Sequence, residues 1–191
     1  MKKIIRQEVV VSDPPIAKFI FGDTRFAWVW LVMRLYLAYS WLTSGVGKLS
    51  NPGWMETGVS LKNFWANALK MEPRPVITFE WYRDFIQYLF DMQAWTWFAK
   101  LIVIGEVAVG FFLLLGAFTG IAAVFGGFLN WNFMMAGTAS SNPLLFFFAV
   151  LLVMAWKTAG YWGADRFLLP YLGTPWRPGF SVGEAKPAPA R

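Results

Sequence analysis

Arg34, Trp41, Gly45 and Lys48 follow one another at spacings of seven, four and three. In a helix this places all four on one face. That face is cationic at mid-depth, aromatic in the middle, open at a glycine and cationic again at its far end. The stretch that carries it, Phe26 to Leu49, is apolar and exceeds the about 20 residues that cross a bilayer. An arginine inside such a helix costs at least ~2.5 kcal/mol to insert, so it faces a partner charge or a wet cavity. Glu106, in the middle of the apolar run 95–116, is the simplest partner. At about 1.5 Å per residue, Arg34 and Glu106 lie about 12 and about 15 Å from the same membrane face in antiparallel helices. An Arg34–Glu106 ion pair is therefore expected. It either fixes helix register alone or lines a polar pocket.

Asn130 shares a helix face with Gly126, Gly127 and Met134 and points into the bundle. It serves either as interhelical glue or as a hydrogen-bond donor to a quinone carbonyl or a bound anion. Lys48, at a helix end, can snorkel or bind. Trp41, Phe128, Trp131 and Phe133 read as core or lipid contacts. The chain has no cysteine and no histidine. Disulfides, thiol relays, Cys or His metal sites and His-ligated haem are thereby excluded. No metal site is expected, and redox chemistry would need a diffusible cofactor or a partner subunit. There is no phosphate loop, nucleophile–base constellation or dinucleotide fingerprint.

The elements that must position these residues are membrane helices. The chain is 57% hydrophobic and 19% aromatic, too apolar for an ordinary soluble domain. Its net charge of +6 fits lipid headgroups, membrane topology and an anionic substrate better than nucleic acid. The expected fold is all-α: an integral membrane four-helix bundle with spans at about 26–49, 95–116, 118–136 and 143–162. Residues 1–25 read as a polar arm broken by Pro14 and Pro15, and 177–191 as a flexible tail. Between the first two spans, 54–94 reads as two amphipathic interfacial helices that cap the bundle. Leu61, Phe64, Trp65, Ala68 and Leu69 recur at helical spacing in one, and Trp81, Phe85, Tyr88, Leu89 and Met92 in the other, and such helices lie in the interface plane or cap a bundle. Ten Lys and Arg residues fall on the terminal side of the membrane and six on the other. This charge bias predicts a multi-pass cell-membrane protein with cytoplasmic termini. The small-residue pairs Ala122/Gly126 and Ala123/Gly127 predict close packing of the third span.

Five ordered stretches, RLYLAYSWLTSGVGKLSNPGW, WYRDFIQYLF, WFAKLIVIGEVAVGFFLLLGAFTGIAA, NWNFMMAGTASSNP and WKTAGYWGADRFLLPYLGTPW, together resemble the DoxX/DoxD membrane proteins over residues 26–176. The resemblance implies a four-helix membrane domain. It further implies similarity to the large subunit of thiosulfate:quinone oxidoreductase, which passes electrons from thiosulfate or a similar small anion to a membrane quinone and has a small partner subunit. On that resemblance Arg34 and Glu106 are the candidate catalytic residues. Lys48, Asn130, Trp41 and Tyr39 are the candidates for binding substrate or quinone. The alternative is a non-catalytic membrane subunit that anchors a larger redox complex. A small-molecule carrier is disfavoured, since inverted repeats are not visible.

Overall fold

The computed structural model describes residues 13–173. Part of the expected N-terminal arm and all of the expected tail at 177–191 lie outside them. The regular structure described is entirely helical. It begins with α1 (Pro15–Gly22), a 3-10 turn at Thr24–Phe26, and the long α2 (Ala27–Leu49). Three shorter helices follow: α3 (Pro52–Met55), α4 (Val59–Ala68) and α5 (Glu80–Asp91). Then come α6 (Trp95–Leu115), α7 (Thr119–Met135), α8 (Asn142–Met154), α9 (Trp156–Ala159) and α10 (Asp165–Tyr171). Pro15 opens α1 instead of breaking it, because a first-turn proline lacks only a donor that would be unpaired anyway.

Four helices pack in a ring: α2 on α6, α6 on α7, α7 on α8 and α8 on α2. Their shared core holds Leu37, Ala38, Trp41, Leu113, Ala123, Ala149 and Leu152. Two glycines bring α2 and α6 into close contact. A Cβ added at Gly45 would lie 2.7 Å from Val107 Cγ2, and one at Gly110 would lie 2.8 Å from Leu42 Cγ and 2.9 Å from the Leu42 backbone nitrogen. These contacts set the antiparallel register. Gly45 sits opposite Val107, and Arg34 reaches Gly116. Gly110→Ala should force the helices apart and lower stability by about 1–3 kcal/mol, read as a drop in melting temperature in mild detergent.

Among the described residues, α6 is the one helix both long and apolar enough by composition to cross a membrane. α2 is long enough but carries Arg34 and Lys48. The fourth span expected at 143–162 is interrupted. α8 ends at Met154, and Ala155 has left the helical region with ψ 17. There the Thr158 hydroxyl lies 2.9 Å from the Phe21 carbonyl, tying α9 back to α1. The bundle's outer face exposes Val32, Leu101, Phe111, Ile121, Phe125, Phe147 and Val150. An apolar surface of this extent calls for lipid or protein cover.

The expected capping helices are α4 and α5. α4 buries Leu61, Trp65 and Ala68. α5 buries Tyr82, Ile86 and Leu89, and leaves Trp81, Phe85, Tyr88 and Met92 exposed. The apolar arc of α5 is broad, opposite a polar face of Glu80, Arg83, Asp84, Gln87 and Asp91, so period alone could not decide which edge of that arc packed inward. The choice goes to the side where the Tyr82 hydroxyl donates to the Asn132 backbone carbonyl or side-chain oxygen, both at 3.1 Å. Burial pushes that phenol up to about 12, so it stays a neutral donor.

Candidate functional site

Arg34 and Glu106 do not pair. The α2–α6 register separates them, placing Glu106 near the Lys48 end of α2 and Arg34 beyond the last turn of α6. Depth counted from helix ends missed this, because it assumed that the two helices begin and end together. The glycine contacts shift them instead.

Glu106 is fully buried and pairs with Lys48, Nζ to Oε1 at 2.5 Å. Ser44 Oγ donates to the other carboxylate oxygen at 3.0 Å. Lys48 Nζ also lies 3.2 Å from Ser44 Oγ. The ammonium stands over two rings, 4.9 Å from the Trp54 centroid and 5.4 Å from that of Phe133. Such contacts favour a cation held out of bulk water. Lys48 therefore turns inward to a partner and does not snorkel.

These groups face a cavity of about 440 Å³. Asn130 joins them from α7. Its side chain is completely buried, and neither its amide nitrogen nor its oxygen has a hydrogen-bond partner. A buried amide without partners carries a penalty of about 1–3 kcal/mol. The indole nitrogen of Trp41 is likewise buried and unpaired, and lines the same cavity. Tyr39 is 69% exposed and belongs to the rim. Of the six residues expected at the site, five line this space and Arg34 does not.

The rim also holds Ser140, Ser141 and Asn142, where the loop enters α8. The sequence reading missed these, and it missed Ser44. A signal existed for Ser44, which precedes Lys48 by one helical turn on the same face. Among the described residues, the only charges on the lining are Lys48 and Glu106. The cavity is thus polar and formally neutral.

Arg34 has a different setting. One guanidinium nitrogen donates to the carbonyls of Leu113 at 2.8 Å and Leu114 at 3.3 Å, and another to that of Trp162 at 3.2 Å. It thereby satisfies carbonyls at the C-terminal end of α6, where a positive charge also suits the helix dipole. Gly116, at φ +64, leaves the room: any Cβ there would collide with the guanidinium. Beyond the turn, Asp165 accepts from the backbone nitrogens of Phe118 at 2.6 Å and Thr119 at 2.9 Å, capping α7. Asp165 was not among the expected site residues. An acidic residue late in the chain carries no local mark of a helix more than forty residues earlier.

No curated protein and no solved structure matches this chain. The DoxX family model matches residues 29–139, more than half of the 191 residues. The matched range runs from α2 to the loop after α7 and includes Arg34, Trp41, Lys48, Glu106 and Asn130. The chain belongs to the DoxX family and is a membrane-associated domain of that kind.

Proposed function

We propose that this chain is the quinone-binding membrane subunit of an oxidoreductase, similar to those that pass electrons from thiosulfate or another small anion to a membrane quinone. The observation that carries the reading is Asn130: a fully buried amide, unpartnered, beside a Lys48–Glu106 pair. A quinone supplies what this arrangement lacks. It is neutral, and its two carbonyls accept hydrogen bonds. Asn130 donates to one carbonyl and Lys48 to the other. Ser44 and Glu106 hold the ammonium and can return a proton to it, while Tyr39 marks the lipid-side entrance. Four spans with cytoplasmic termini would put this cavity toward the outer membrane face.

The formal neutrality of the cavity favours a quinone over a dianion. Oxidation of the anion is therefore assigned to a partner subunit. The reaction balances as two thiosulfate ions plus quinone plus two protons giving tetrathionate plus quinol. Two electrons leave sulfur, and the quinone takes them up with the two protons.

Asn130→Leu tests the reading. The variant keeps the side-chain volume and removes the unpaired amide, so stability should rise by about 1 kcal/mol. Quinone binding in lipid nanodiscs, and thiosulfate-dependent quinone reduction in preparations that retain the partner, should fall at least about tenfold, the equivalent of ~1.4 kcal/mol. Unchanged binding in a folded variant would remove Asn130 from the site and with it the main support for a quinone.

A further inference from the structure

A second space adjoins the polar cavity. It is an apolar groove of about 770 Å³ between α6 and α7, roofed by α4 and α5. Gly105, Ala108 and Ala122 line it with small side chains, and Leu101 and Phe125 stand exposed at its open side. Its volume falls within the roughly 300–1,000 Å³ of small-molecule sites. Along α6 it runs from Phe98 to Phe112, about 21 Å at about 1.5 Å per residue. Phe64 and Phe133 line both the groove and the polar cavity. Their rings meet edge to face, with centroids 6.0 Å apart. One pair of phenyl rings is thus common to the wall of the apolar space and that of the polar one.

We infer that this groove holds the hydrocarbon tail of the molecule whose head the polar cavity binds, an isoprenoid-tailed quinone. The inference rests on the quinone reading above and adds where the tail lies and how the head arrives. Among the described residues no charged side chain lines the groove, and its polar groups, Tyr82 and Asn132, already bond to each other. A phospholipid headgroup finds no counter-charge there. An uncharged quinone head can pass between two phenyl rings. Moving a tail from lipid into the groove yields little hydrophobic gain, since both are apolar. The gain is positional: a tail held along α6 keeps its head at the Phe64–Phe133 partition, raising its effective concentration at the cavity.

The test uses the full chain in lipid nanodiscs and two probes, a decyl-tailed benzoquinone and the tail-less benzoquinone with the same head. They are compared at equal mole fraction in the lipid. Ala108→Phe fills the groove. Gly105→Leu does so from a position where an added Cβ meets only Leu129 Cδ1, at 3.8 Å. Leucine is also the better helix former, so this variant should fold. The wild type should prefer the tailed probe about tenfold. Both variants should lose that preference while binding the tail-less probe as before. A preference that survives in both variants overturns the inference. So does mass spectrometry showing that the groove retains phospholipid, released by Gly105→Leu. If the wild type binds the tailed probe in a groove-dependent way but preparations that retain the partner show no thiosulfate-dependent reduction of it, the groove stands and the oxidoreductase reading falls.

Discussion

Lys48→Met is expected to lower stability by about 3–5 kcal/mol, because it leaves Glu106 fully buried without its counter-charge. Glu106 has no exposure to water, and Ser44 alone remains to bond it. Quinone binding should also be lost, since the ammonium is the strongest donor in the cavity. Adding Glu106→Gln to the variant removes the unpaired charge. The double variant should therefore recover most of the stability and none of the binding. Urea unfolding of the wild type, the Lys48→Met and Glu106→Gln single variants and the double variant in one mild detergent gives the coupling energy directly. A single variant that loses less than about 1 kcal/mol would mean the pair contributes no more than a surface ion pair. Recovery of binding in the double variant would show that Lys48 acts only through its hold on Glu106.

Arg34→Met should be as damaging to stability and harmless to chemistry. Three carbonyls lose their donor, that of Leu113 buried and those of Leu114 and Trp162 partly buried. At about 1–3 kcal/mol for each buried group left unsatisfied, a loss of about 3 kcal/mol or more follows. Quinone bound or reduced per folded molecule should stay at the wild-type level, because Arg34 lies outside the cavity lining. Thermal unfolding and a binding titration on the same sample separate the two effects. Loss of binding in a variant that is still folded would bring Arg34 back into the site.

This pair of results bears on what could be read from the sequence. The helical class, the α6–α7 hairpin and the existence of α4 and α5 were legible, because apolar runs broken by Gly and Pro mark them. Five of the six residues expected at the site line or rim the cavity, because Trp41 and Lys48 share a face of α2 and Asn130 follows the glycines of α7. The pairing was not legible. It depends on how far α2 slides along α6, and Gly45 and Gly110 decide that by contacts with Val107 and Leu42 on the opposite helix. A one-helix argument cannot see a two-helix register. Which edge of α5 packs inward was not legible for a related reason, since the hydroxyl of Tyr82 makes the choice against Asn132. The break in the fourth span was missed because an apolar composition runs through Ala155 while the regular helix does not.

Asp165 has one further implication. It belongs to α10, the last described helix, yet it finishes the turn between α6 and α7 by holding Phe118 and Thr119. Its own backbone nitrogen donates to Gly116 at 2.7 Å. A ribosome emits the hairpin well before it emits the residue that caps it. In the interval the first turn of α7 has open donors and the end of α6 has open acceptors, both in an apolar setting. A chain halted before Asp165 thus leaves the backbone nitrogens of Phe118 and Thr119 and the Gly116 carbonyl without the partners they have in the finished fold.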